Sequence, residues 1–325
     1  MAGPTRRTSA SVLVRTRRTG LALPHQVIGT PDRIEESFLS TLTAAPRSVG
    51  VPGRALATLG ALIAGLGVAF VLAPPWLAAS EQAGDPTNQS QLVAAFRAGV
   101  VGYWRSGDST YPPQLQRVVD YWFRFHLLKS GIAALLLIVL VALAVQLWRT
   151  YLRTDGLGTG GRAALVTAGL AVPPLALGAL AVVMANLQGA LTPFASLLPL
   201  LIGGPPNAGL AGPLAQARQQ LAGSHRTGGY TPPALDAMVS EFGRYHVVMA
   251  VISAVVVVAL LGLSVVFWRG FARVGSADPR TRRVLGGFGA FSALSALIVL
   301  VVFVANAGTA MDPAPALLGL FNGGF

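Results

Sequence analysis

Two histidines stand at matching places in this chain of 325 residues. His126 closes the triplet Arg124-Phe125-His126, and His246 closes Arg244-Tyr245-His246, 120 residues further on. Asp120 and Glu241 precede them within one or two helical turns. Imidazole titrates near pH 6.5, so such a pair beside carboxylates could sense acidity, hold a polar ligand or move a proton. Asn186 and Asn306 form a second matched pair, each 60 residues after its histidine. Each group also has a plainer role. Arg-aromatic-His reads as an interfacial anchor whose polar tips reach lipid headgroups. An Asn at the end of an apolar run reads as a helix C-terminus signal. Two histidines without a third ligand make a poor metal site, so no metal and no cofactor is expected.

The elements that must carry these residues are apolar. Mean hydropathy is +0.61, and only 11% of residues are charged. Uninterrupted apolar stretches lie near 55–73, 128–148, 163–186, 246–268 and 284–305. Each is about 20 residues or longer, which a helix needs to cross a hydrocarbon core of roughly 30 Å. Helix is the expected form, because lipid offers no partner for free backbone groups. The sequence therefore predicts an all-α polytopic membrane protein with five transmembrane helices. Its domains read as a basic tail over 1–54, a first transmembrane helix over 55–84, and two units over 85–204 and 205–325.

Those two units are copies of one pattern. Laying 111–205 over 231–325 without a gap gives about 30 identities in 95 positions, and the rarer residues carry the case. Pro112-Pro113 meet Pro232-Pro233, Trp148-Arg149 meet Trp268-Arg269, Pro193 meets Pro313, and Gly203-Gly204 meet Gly323-Gly324. With a one-residue slip Arg97 meets Arg218. Each unit crosses twice, so the repeats are parallel, two helices each, with one extra N-terminal helix outside them. In both, an amphipathic stretch beginning at the proline pair runs into the span with no breaker. From Pro112 to Trp148 a helix would measure about 55 Å. The two long helices are expected to project beyond the bilayer and pack against each other. The segments TPFASLLPLLIGG and DPAPALLGLFNGG, capped by Thr192 and Asp312, read as short helices lying on the bundle or in the interface.

Charge gives the orientation. Segments 1–54, 149–162 and 269–283 hold 16 basic and 5 acidic residues, whereas 75–130, 186–246 and 306–325 hold 8 and 7. The positive-inside rule then puts the N-terminus in the cytoplasm and the C-terminus outside. The net charge of +12 is thus a topology signal, and no nucleic-acid partner is expected. The basic tail should be a largely disordered cytoplasmic arm drawn to anionic lipid, not a cleaved signal. Within it, Thr30 and Pro31 could open an interfacial helix carrying Ile34, Phe38, Leu39 and Leu42 on one face. One Lys against 23 Arg suggests a GC-rich bacterial genome, hence a bacterial cytoplasmic membrane.

Several activities are disfavoured. The span interiors lack the Asp, Glu and Arg that proton-coupled carriers use, and Lys129 lies at an edge. There is no cysteine, no H-E-x-x-H, no G-x-S-x-G and no Walker loop. Pro173-Pro174 has no counterpart at Ala293-Leu294, and a kink on one side could open a crevice. The expectation is a non-enzymatic membrane protein whose outer helices form an interaction surface for a protein or lipid partner. A transporter or transporter subunit is the alternative, and an outer-leaflet enzyme using His126, His246, Glu241 and Asp120 comes third.

Overall fold

The structure, a computed structural model, describes residues 53–79, 85–86, 88–153, 158–204, 208–227 and 232–324. The expected tail helix at Thr30–Leu42 lies outside them. Among the described residues there are helices and no strands. In chain order they are α1 (Gly53–Ala78), α2 (Gln89–Ser106), α3 (Pro113–Arg153), α4 (Thr159–Leu191), α5 (Pro193–Leu197, continued by a 3-10 turn Leu198–Leu201), α6 (Ala208–Thr227), α7 (Pro233–Arg273), α8 (Pro279–Met311) and α9 (Pro313–Phe321). Five of these, α1, α3, α4, α7 and α8, are long and apolar enough to cross a membrane. The protein is an integral membrane protein.

Local chemistry sets the boundaries. Pro113, Pro193, Pro233, Pro279 and Pro313 each open a helix, where a missing N–H leaves nothing unpaired. Asn88 caps α2 by accepting from the Gln91 N–H at 2.9 Å, and Asp278 caps α8 by accepting from Thr281 N–H at 3.1 Å. Thr192 and Asp312 do not cap with their side chains. The Thr192 hydroxyl turns back to donate to the Gln188 carbonyl at 2.8 Å, tying α4 to its own end. Each Gly-Gly stop supplies one left-handed glycine, Gly204 at φ 129° and Gly323 at φ 82°.

α3 and α7 are both 41 residues long, offset by 120, and α4 and α8 are both 33 residues at the same offset. Each long helix measures about 60 Å at 1.5 Å per residue. Lys129 to Trp148 accounts for about 29 Å of α3, one hydrocarbon thickness. The first four turns therefore stand clear of the bilayer. The long helices were expected to pack against each other there; both send side chains into one apolar core, but each makes its main pairing within its own hairpin. α3 pairs along its length with α4, α7 pairs with α8, and the two hairpins meet where α4 lies beside α7. Among the spans α1 packs chiefly on α3.

The best-packed part of the molecule lies outside the spans. Phe96, Tyr103, Leu115, Phe194, Leu235 and Phe321, contributed by α2, α3, α5, α7 and α9, are all under 2% exposed and belong to one apolar core. Together with α6 they build a helical cap on the projecting ends. The short helices α5 and α9 are thus core elements of the cap, not surface strips. Arginine pins each of them. Arg97 Nε on α2 donates to the Leu200 carbonyl at 3.0 Å, and Arg218 Nε on α6 donates to the Phe321 carbonyl at 2.9 Å, the same bond 121 residues on. By contrast, at most 28% of the most apolar window of any span is buried, and none of α1's. The spans present their side chains to lipid.

Candidate functional site

Begin with the histidines. Four residues before His126, the Trp122 carbonyl meets its Nδ1 at 3.1 Å, so that nitrogen carries the proton. The ring meets the stacked Trp122 and Phe125 of its own helix edge-on and reaches Gly189 on α4, where a Cβ would fall 2.4 Å from His126 Cδ2. Only a residue without a side chain lets α3 and α4 approach this closely. His246 behaves differently. Asn306 donates its Nδ2 to the Val302 carbonyl at 2.8 Å and turns Oδ1 toward His246 Nδ1 at 2.9 Å. That leaves His246 Nε2 shut off from solvent with no hydrogen-bond partner among the described residues. Asn186 makes only the matching bond to its own helix, Nδ2 to the Val182 carbonyl at 2.8 Å.

Among the described residues the two rings make no hydrogen bond and no ring contact with each other. α4 stands between them, and one turn of it serves both sides. Gly189 receives His126, while the Gln188 amide donates to the Tyr245 carbonyl of α7 at 3.0 Å. No carboxylate or hydroxyl hydrogen-bonds either ring among the described residues. Each ring is engaged within its own hairpin, His126 against α4 and His246 with Asn306 of α8.

The charged residues also part company. Arg124 Nη2 pairs with Asp85 at 3.0 Å and its Nε donates to the Ala78 carbonyl at 2.8 Å, so it clamps the end of α1 onto α3. Lys129 assists from above the Phe70 ring of α1, 4.3 Å from its centroid. Arg244 instead lies 3.5 Å from Glu241 on its own helix, at the surface. Asp120 accepts from Gln116 Nε2 at 2.8 Å, also at the surface. Among the described residues, no group of three or more His, Asp or Glu is placed to hold a metal ion.

A groove of about 450 Å³ opens in the cap between the two units. Ser109, Thr110, Tyr111 and Gln116 line one wall, and Ala237, Ser240 and Glu241 the other. Tyr111 stacks on Phe194 with centroids 4.8 Å apart, and Tyr103 donates to the Ser109 carbonyl at 3.1 Å. Burial, reinforced by the Glu241 carboxylate, pushes the Tyr103 phenol up to about 12 and raises Tyr111 as well. Both phenols stay neutral donors. Their contribution to cap stability is complete below pH 10 and is lost as pH climbs through about 12 for Tyr103 and higher still for Tyr111. An alkaline titration followed by phenolate absorbance should show a late component that shrinks in Tyr103→Phe and in Tyr111→Phe. An unchanged late component would mean the cap core is open to water.

Three features escaped the sequence. Gln188 and Asp85 looked like ordinary polar residues at span ends. In α7 and α8, Ser253, Ser264, Ser292 and Ser295 are all buried, a hydroxyl seam through the second hairpin. The first hairpin has Ala133, Ala144, Val172 and Leu175 at those places. Their spacing along each helix was readable, but single serines in an apolar run look incidental.

No protein-family model, no curated protein and no solved structure matches this chain.

Proposed function

We propose that this protein is a membrane-anchored docking platform of a bacterial cytoplasmic membrane, not an enzyme, with the cap on the extracytoplasmic side. The observation that carries the reading is where packing is concentrated. A rigid cap with a fully buried core stands on spans that bury little and carry no carboxylate in their apolar interiors. A carrier needs the reverse, a polar site near the bilayer midplane. The partner is an extended, polar protein segment laid in the cap groove, with Glu241 and the Gln116–Asp120 pair at its rim and Arg244 beside them. His126, His246, Asn186 and Asn306 then serve as latches that hold the hairpins under the cap. The proposed units remain 85–204 and 205–325, preceded by the tail and the first span.

Orientation rests on the excess of Arg in the loops at the far end from the cap. Reporter fusions after Arg153 and Arg273 should score cytoplasmic, and fusions near Asp85, Ala211 and Gly324 should score external. The reverse pattern would put the cap in the cytoplasm.

The docking test uses a photo-cross-linking residue in cells. At Gln116 or Ser240 it should trap a discrete protein adduct that Glu241→Arg weakens. At the lipid-facing Val258 it should trap none. Adducts that are the same at both places, or absent from the cap, would defeat the reading. The transporter alternative keeps one supporting observation, the crevice between the hairpins described next, and solute flux in proteoliposomes would favour it.

A further inference from the structure

Towards the end of the spans far from the cap, residues of α4 and α8 line an apolar crevice of about 250 Å³. Trp148, Leu170, Pro173, Pro174, Phe288 and Phe291 form its walls, and the exposed Arg283 stands at its mouth. We propose that this crevice binds an anionic phospholipid, one acyl chain between α4 and α8 and the phosphate on Arg283.

The proline pair explains why the crevice exists on this side. Pro173 has no N–H to give the Gly169 carbonyl, and the Trp148 indole supplies the missing donor at 3.2 Å. Gly169 leaves room for that indole, since a Cβ there would sit 3.0 Å from Trp148 Cε2. Pro174 likewise frees the Leu170 carbonyl, an acceptor on the crevice wall that a lipid hydroxyl can meet. In the second hairpin Ala293 keeps its N–H, and the Ser264 hydroxyl occupies the Gly289 carbonyl at 2.9 Å. The crevice is thus built from one unit's prolines and the other unit's aromatic face.

Chemistry selects the occupant. The walls are apolar and Leu170 is 63% exposed, so the opening faces the bilayer. The volume suits a hydrocarbon chain and is far too small for a helix about 10 Å wide. Arg283 is the one charged residue in the lining; Arg280 and Arg282 neighbour it on the first turn of α8, Arg282 over the Phe271 ring, and the nearby acid Asp278 is engaged at the α8 cap with Thr281. A negative headgroup is therefore attracted and a zwitterionic one is not.

The test uses the full chain, delipidated in neutral detergent and titrated with dioleoyl phosphatidylglycerol or dioleoyl phosphatidylcholine under native mass spectrometry. Phosphatidylglycerol should bind more tightly by about fivefold, the worth of one arginine at a membrane surface, and Arg283→Gln should erase that preference. Gly287 lines the crevice and has open space where a Cβ would point. Gly287→Leu should therefore fold normally, as circular dichroism would verify, and weaken phosphatidylglycerol binding about tenfold by filling the chain's place. Gly262→Leu, on α7 and outside the crevice lining, should change nothing. Equal binding of the two lipids to the unaltered protein would overturn the proposal. So would full binding by Gly287→Leu, or displacement of phosphatidylglycerol by inorganic phosphate.

Discussion

Gly189→Leu should unlatch the two hairpins from each other. A Cβ at this position falls 2.4 Å from the His126 ring, and that ring is already held by Trp122 and Phe125. The imidazole cannot swing aside without losing its bond to the Trp122 carbonyl. Overpacking a fixed core position costs about 1–3 kcal/mol, and this site belongs at the upper end. Gln188 next door carries the bond to α7, so the shift of α4 is transmitted to the second hairpin. Denaturant unfolding in detergent should show the loss. The double variant Gly189→Leu with His126→Ala should recover most of it, because the new side chain then fills the vacated ring space. If Gly189→Leu alone is as stable as the starting protein, α3 and α4 do not approach as closely as described.

Phe194→Ala should loosen the cap while leaving the spans helical. Phe194 meets Phe96, Tyr103 and Tyr111 at centroid distances of 6.0, 6.2 and 4.8 Å, and is 1% exposed. Truncating a buried Phe costs about 3–5 kcal/mol through lost burial and the cavity left behind. The second unit has Ala314 at the corresponding place, so no equivalent ring cluster compensates. Limited proteolysis should cut α2 or α5 far sooner in the variant, with helicity of the spans retained. Photo-cross-linking from the cap groove should fall with it, since Tyr111 lines that groove and stacks on Phe194. A cap that resists protease as before would place the cap's stability elsewhere, in the arginine bonds to Leu200 and Phe321.

The spans were legible because length and apolarity alone decide them, and the helix starts were legible because proline is tolerated in a first turn. The long helices were expected from the proline pairs to the Trp-Arg boundaries because no breaker intervenes, and they run on to Arg153 and Arg273. What each face packs against was not legible. The stripe Leu115, Val118, Val119 announces a buried face but does not name its neighbour. Symmetry suggested the opposite long helix, whereas Leu115 lies against Gly99 of α2, and α3 also meets α5. The histidines show the same limit. Equal residues at equal offsets invited a common site, yet Gly189 faces one ring and Thr309 stands at the matching position on α8. That single difference lets α3 close on α4, while His246 finds Asn306 instead. Arg124 and Arg244 also look alike in sequence, and the extra helix α1 with the segment after it gives the first of them the Ala78 carbonyl and the Asp85 carboxylate to hold.

The clamp on α1 has a consequence in time. Asp85 and Arg124 are 39 residues apart, and the Asp85 side chain is 8% exposed once they meet. A ribosome adding about 5–20 residues each second needs about 2–8 s to make that stretch. During this interval the first span is already built, and the Asp85 carboxylate that follows it has no arginine. It must stay in water, at the membrane surface, until α3 emerges and turns. The order of synthesis therefore fixes the order of assembly: α1 waits in lipid, the first hairpin captures it, and the second hairpin docks last onto a surface that α4 has already completed.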